Sequence, residues 1–217
     1  MLKVAVLISG RGSNLQALID AERQKDWPAK IVLVISNVPG AQGLERAEKA
    51  GIATQTIDHT KFEGREPFDR ALTAALEKAG AELVCLAGFL RLLTDDFINR
   101  WRDRLVNIHP SLLPAFKGLH THERALAAGV RLHGCTVHFV RPQLDTGPVI
   151  AQAAVPVLPT DDGDALAARV LAQEHKIYPM AVRLIAEGRV RVVNEVALID
   201  GAKPPKATAA LQNPEKI

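Results

Sequence analysis

The chain has 217 residues, 47% of them hydrophobic, with a formal net charge of +3 and a sequence pI near 9.0. That length and apolar content suffice for one domain with a full core and require no second. The positive excess is mild and forms no Lys/Arg run or basic stripe interleaved with aromatics, which argues against a nucleic-acid surface. Cys85 and Cys135 sit far apart in the apolar runs LVCLA and GCTVHFV. They read as buried small hydrophobes, neither a disulfide framework nor a metal site. The N-terminal MLKVAVLISG has an apolar stretch of only about five residues before its glycine, too short for a signal segment or a membrane span. A soluble, cytoplasmic protein is expected.

Along the chain, short β-branched or apolar runs alternate with helical patterns. Lys3 to Ser9, Ile31 to Asn37, Thr54 to Ile57, Leu83 to Ala87, Leu105 to His109, Leu132 to Val140 and Val149 to Val157 read as strands. Asn14 to Lys25, Leu44 to Ala50, Glu66 to Ala79, Thr94 to Trp101 and Thr121 to Ala128 read as amphipathic helices, and a longer one is expected from about Asp164 to Glu187. This alternation predicts a single α/β domain over residues 1–200, with a mostly parallel twisted sheet and helices on both faces. Ligands of such folds lie beyond the carboxyl ends of the strands. The tail, 201–217, rich in Ala, Pro and Lys, is expected to be poorly ordered.

The first strand runs into SGRGSNLQALI. Gly10 and Gly12 allow a tight turn, Ser13 or Asn14 can cap the helix that follows, and the free backbone N–H groups of a helix start form an anion site. A dinucleotide fingerprint would need a third glycine at position 15 and an acidic residue closing the second strand, where Leu15 and Asn37 stand. No Gly-Lys-Ser/Thr follows, which excludes a Walker loop. A phosphate site remains, against the plainer reading in which the glycines only make a βα turn.

Residues 107 to 118 read NIHPSLLPAFKG. On a strand Asn107 and His109 point to one face, because side chains alternate with period two. Pro110 ends the ladder, and Pro114 with Gly118 stiffens and then turns the loop. An amide donor beside an imidazole that can be protonated suits oxyanion stabilisation and proton transfer during attack on a carbonyl. The plainer alternative has Asn107 capping a turn and His109 as a satisfied core histidine. The next strand is followed by RPQLDTGPVI, whose Asp145 would favour the imidazolium and orient its ring if it faces His109; otherwise it is an Asx-turn residue. Glu174 falls on the apolar stripe marked by Leu166, Val170, Ile177, Ala181 and Leu184. A carboxylate there must meet a ligand or an internal partner such as Lys or Arg. His175 reads as a polar-face or structural residue. His120 and His122 lack a third ligand nearby and read as loop residues, so no metal site is expected.

The stretches ISGRGSNLQALI, SN at 36–37, GLERAEKAGI, LAGFLRLL, NIHPSLLPAFKG, HGCTVHFV, LDTGPVI and QEHKIYP occur in order across nearly the whole chain. In this the chain resembles the folate-dependent phosphoribosylglycinamide formyltransferases of purine biosynthesis, which have a Rossmann-like fold. The resemblance implies 10-formyltetrahydrofolate as co-substrate, glycinamide ribonucleotide as acceptor, and no metal. It further implies that Gly12, Ser13 and Asn14 hold the substrate phosphate, with Leu171, Ala172, Gln173 and Glu174 lining the ribonucleotide subsite. Folate would lie along Leu90, Arg91, Leu92 and Leu93, against Asn107 and the loop Arg141, Pro142, Gln143, Leu144 and Asp145, with Arg65 near its glutamate tail. Asn107, His109 and Asp145 would be the catalytic trio. The partners expected are the two small substrates, with no nucleic acid and no membrane; a homodimer is left open.

Other members of the wider group use a different acceptor: water in a formyltetrahydrofolate hydrolase, or initiator tRNA. Both normally carry a further domain, and this chain begins at its first strand and ends soon after its last helix, so neither is the expectation. A non-catalytic phosphate-ligand module is the non-enzymatic alternative.

Overall fold

The computed structural model describes residues 1–202, 209 and 211–213. Of the tail 201–217, expected to be poorly ordered, 203–208, 210 and 214–217 lie outside the described residues. Nine strands and six α-helices are described: β1 Leu2–Ile8, α1 Ser13–Glu22, β2 Ala29–Ser36, α2 Gln42–Lys49, β3 Thr54–Thr56, α3 Arg65–Lys78, β4 Leu83–Leu86, α4 Asp95–Arg100, β5 Leu105–His109, α5 Thr121–Ala127, β6 Leu132–Phe139, β7 Val149–Pro156, α6 Gly163–Ala186, β8 Val190–Val193 and β9 Val196–Ile199. Seven strands form one sheet in the order β3-β2-β1-β4-β5-β6-β7. The run from β3 to β5 is parallel, and β6 and β7 are added antiparallel.

Both faces of the parallel strands are covered, which is why they read as continuous apolar runs. Val4, Val6 and Ile8 pack with Leu15 and Leu18 of α1, Leu44 of α2 and Leu166 and Val170 of α6, while Ala5 and Leu7 face Phe68 and Leu72 of α3 and Phe97 of α4. Tyr178 of α6 is fully buried and donates its hydroxyl to the carbonyls of Leu86 (2.9 Å) and Val106 (3.4 Å), tying α6 to β4 and β5. Strand order reverses between β1 and β4, so the segments leaving these strands border the crevice where such sheets bind ligands. The two are tied together: Ser9 donates its N–H to the Gly88 carbonyl, and Leu90 N–H donates to Ser9 Oγ.

The hairpin β8–β9 is absent from the sequence reading. Its turn is Asn194–Glu195, both left-handed (φ 50 and 59), with no glycine to announce it. Val190, Val192, Ala197 and Ile199 lay its inner face on the main core.

Candidate active site

Asn107 and His109 lie at the carboxyl end of β5, two apart and on one face, as the period-two argument requires. Antiparallel pairing sets Asn107 opposite His138 and His109 opposite Thr136 of β6. His109 Nε2 donates to the Phe116 carbonyl (3.0 Å), so its Nδ1 is turned toward Asp145 Oδ2 (3.6 Å). A protonated ring would keep the Nε2 bond and face the Asp145 carboxylate at ion-pair distance on its Nδ1 side. Asp145 is held in place by Gly118, whose N–H donates to the same Oδ2 at 2.9 Å. The glycine ending NIHPSLLPAFKG thus closes that loop onto the carboxylate that faces its histidine. Asp145 adopts a left-handed backbone (φ 49), a conformation Asp tolerates better than most residues.

The loop is braced from β6. Thr136 Oγ1 donates to the Ser111 carbonyl (2.7 Å) and accepts from Leu113 N–H (3.1 Å), while Gln152 Nε2 donates to Leu113 O. His138 is the residue the sequence reading missed. Its Nδ1–H donates to the Phe139 carbonyl (2.9 Å), leaving Nε2 as acceptor for one N–H of the Asn107 amide at 3.4 Å. Burial pushes this imidazole down, so it stays neutral and fixes the orientation of Asn107, whose second N–H remains for another acceptor. Only once β6 is known to run antiparallel does parity in HGCTVHFV put His138, like Thr136, on the Asn107–His109 side.

At the second locus, Gly12 precedes α1 in the left-handed region (φ 70) and packs so closely that an added Cβ would lie 2.7 Å from Gly43 Cα. No side chain caps the helix: position Ncap is Gly12, and of the two candidate caps Ser13 is already the first helical residue while Asn14 turns inward and donates Nδ2–H to Glu174 Oε2 at 2.7 Å. The backbone donors of the first turn are left for a ligand. Glu174 is buried on α6, as its place on the apolar stripe implied, but its partner is an amide, not a Lys or Arg. Burial pushes its carboxyl up, opposed by the Asn14 bond. Asn14 Oδ1 is buried without a partner. Leu171 and Gln173 are half-buried and Ala172 exposed on the same helix.

Of the segments assigned to folate, Leu90 (70% exposed), Leu92 (63%) and Leu144 (51%) present apolar side chains to solvent, as does Leu119, which the sequence reading did not include. Arg91, Pro142 and Gln143 are also exposed, and Arg65 opens α3. Leu93 differs: its side chain is in the core with Phe89 and Phe97. Arg141 is buried and its guanidinium is taken by Glu195 and Asp103, so only its backbone is free for a ligand. His120 is an exposed residue preceding α5, whereas His122 lies within α5, edge-on to buried His133 at 5.3 Å between ring centroids, and is no loop residue. Burial pushes the Cys85 and Cys135 thiols up to about 12. Among the described residues no group of three or more His, Cys, Asp or Glu is placed to hold a metal.

Residues 2–182 match the family model described as formyl transferase. The chain belongs to the formyl transferase family. It is 47% identical to the phosphoribosylglycinamide formyltransferase of Escherichia coli (strain K12), over 96% of this chain and 99% of that one. It is 55% identical, over 89% of its length, to the trifunctional purine biosynthetic protein adenosine-3 of Drosophila pseudoobscura pseudoobscura, but spans only 14% of that longer protein. The crystal structure of glycinamide ribonucleotide transformylase 1 from Symbiobacterium toebii has the same fold, with a TM-score of 0.90 at 47% identity over 92% of this chain and 94% of that one. The formyl transferase match ends at residue 182, before the β8–β9 hairpin begins.

Proposed function

We propose that this formyl transferase moves the formyl group of 10-formyltetrahydrofolate to the amine of glycinamide ribonucleotide in purine biosynthesis. The observation that carries the reading is the convergence of Asn107, His109 and Asp145, with Asn107 oriented by a neutral His138 and Asp145 by Gly118. The acceptor amine attacks the formyl carbon, forming a C–N bond and a tetrahedral oxyanion. The free N–H of Asn107 and protonated His109 stabilise that oxygen, Asp145 faces the imidazolium, and the proton lost by the amine reaches N10 as the C–N10 bond breaks. The products are the formylated ribonucleotide and tetrahydrofolate.

In this reading the phosphate sits on the backbone of Gly12, Ser13 and Asn14. Glu174 meets the ribose or glycinamide part, beside Leu171, Ala172 and Gln173, and Asn14 Oδ1 offers the acceptor. The exposed Leu90, Leu92 and Leu144 cover the folate ring system; Arg91, Leu93 and the stretch Arg141 to Gln143 contribute backbone, and Arg65 meets the glutamate tail. Residues 1–200 form the catalytic unit. It acts in the cytoplasm on two anionic small molecules, without metal, nucleic acid or membrane, and a homodimer is compatible with these roles. No helix among the described residues is long and apolar enough to cross a membrane. The test is formyl release from 10-formyltetrahydrofolate with and without glycinamide ribonucleotide. Release that requires the ribonucleotide and yields its formylated product is expected; release at the same rate without it would identify a hydrolase, and no release a binding module.

A further inference from the structure

Arg141 opens the loop that carries Asp145, and its side chain is almost wholly buried. Three acceptors surround the guanidinium: Nε donates to Glu195 Oε2 (2.5 Å), Nη2 to Asp103 Oδ1 (2.6 Å) and Nη1 to the Val140 carbonyl (3.1 Å). Glu195 also pairs with Arg102, next to Asp103 in the chain. Both carboxylates come from left-handed residues, Asp103 at φ 57 and Glu195 at φ 59, a conformation neither adopts without cost. Backbones of this kind persist where surrounding contacts over-determine them. Here the contact they share is Arg141.

The far end of the same loop is pinned against the same side chain. A Cβ at Gly147 would lie 3.3 Å from Arg141 Cγ and inside the Phe139 carbonyl, while Phe139 N–H donates to the Pro148 carbonyl at 2.9 Å. The Arg141 stem therefore forms the floor on which the loop 141–147 closes, and Asp145 is suspended between its two ends. Glu195 stands at the tip of the β8–β9 hairpin, beyond residues 2–182 that match the formyl transferase family. The clamp ties this C-terminal hairpin back to the loop that carries Asp145.

We propose that Glu195 is a positioning residue for formyl transfer: through Arg141, and together with Asp103, it anchors the loop that holds Asp145 against His109. The proposal rests on the reading of Asp145 as part of the reacting centre. Glu195 itself touches neither substrate nor His109, so it acts on kcat only through where Asp145 stands.

The experiment compares kcat under saturating substrates for the parent, Glu195→Ala, Asp145→Asn and the double variant, with Tm of each apo protein. Glu195→Ala is expected to lower kcat about tenfold, since a small misplacement of a catalytic group far from its support is costly. Its Tm should fall only modestly, because Arg141 keeps Asp103 although its buried Nε loses an acceptor. In the Asp145→Asn background the same substitution should lower kcat less than twofold, because residues acting through one another are not additive. Glu195→Gln, which keeps an acceptor for Arg141, should recover most of the loss. Parent kcat in Glu195→Ala, or an equal fractional loss in both backgrounds, overturns the clamp while leaving the formyl transfer reading intact. Full activity in Asp145→Asn removes that reading of Asp145 and the clamp with it, and a parent that transfers no formyl group to the ribonucleotide removes the function itself.

Discussion

Asn14 at the start of α1 and Glu174 in the middle of α6, 160 positions apart, meet across 2.7 Å in a buried contact. The bond joins the start of α1, proposed above to hold the phosphate, to a carboxylate that burial pushes up, with no compensating cation among the described residues. A carboxyl whose folded pKa is raised stabilises the fold fully only below its unfolded pKa, and that contribution is lost as pH rises through the folded value. Ionised Glu174 is therefore a cost to the apo protein at neutral pH.

Glu174→Gln should accordingly leave Tm of the apo protein unchanged or raised at pH 7.5, with the difference shrinking toward pH 4. KM for glycinamide ribonucleotide should rise about tenfold or more, in the range for a hydrogen bond to a charged group. Thermal melts at the two pH values and steady-state KM decide it. A large loss of Tm at pH 7.5 with unchanged KM would make Glu174 a structural anion.

Gly12 illustrates a different constraint. Its left-handed backbone costs a residue with a Cβ about 1–2 kcal/mol, and that Cβ would press on Gly43 Cα at 2.7 Å. Gly12→Ala is thus expected to lower Tm and raise KM for the ribonucleotide together, with KM for the folate nearly unchanged. Equal rises in both KM values would mean that the turn supports the whole crevice and not a phosphate.

What could be read in the sequence and what could not follows from the range of each signal. Asn107 and His109 declared themselves because strand parity and Pro110 are local, and Glu174 because helical spacing exposes a charge on an apolar stripe. The antiparallel placement of β6 and β7 was not legible, since HGCTVHFV and VIAQAAVP are apolar runs that a parallel sheet would also accept. With that pairing unknown, His138 could not be set beside Asn107. Arg141 was assigned to folate, with the rest of its loop, by the family resemblance alone. Its partners Asp103 and Glu195 lie 38 and 54 residues away, and neither turn contains a glycine to mark it.

His133 carries a prediction about acid stability. It is 1% exposed and packs edge-on to the His122 ring. Burial, with the neighbouring His122, pushes it down to about 4. A depressed histidine contributes stability that is present above its unfolded pKa and lost as pH falls through about 6.5 toward 4. His133→Leu should therefore flatten the fall in Tm between pH 7 and pH 4.5 relative to the parent, whose Glu174 contributes equally to both proteins. Parallel Tm curves would mean that His133 charges as readily in the folded state as in the unfolded one.

The Asn107 orientation is the next target. His138 Nε2 can only accept from Asn107 because Nδ1 is spent on the Phe139 carbonyl. His138→Leu should lower kcat about tenfold by freeing the amide to rotate, whereas Asn107→Ala should cost roughly 10²-fold, the loss expected for one oxyanion donor. In the double variant the His138 effect should vanish. Persistence of a tenfold loss without Asn107 would assign His138 a separate role.

His109 and Asp145 face each other across 3.6 Å beyond the carboxyl end of β5. N10 is an aniline-type nitrogen and the attacking amine must shed a proton, so the step needs a cation beside the oxyanion and a route for that proton. In the proposed transfer Asp145 would serve both, since its Oδ2 faces His109 Nδ1 at 3.6 Å while Gly118 N–H holds the same oxygen at 2.9 Å. Asp145→Asn keeps the shape and can keep the Gly118 bond through its amide oxygen, but removes the charge that an imidazolium would face. It should reduce kcat roughly 10²-fold or more, with KM for either substrate changed little. His109→Ala should cost at least as much, and the double variant should be far more active than the product of the two losses implies, because the pair works as one unit. The measurement is kcat for the four proteins at saturating substrates. Fully multiplicative losses would show that the carboxylate and the imidazole act independently, and the proton route through this pair would have to be abandoned.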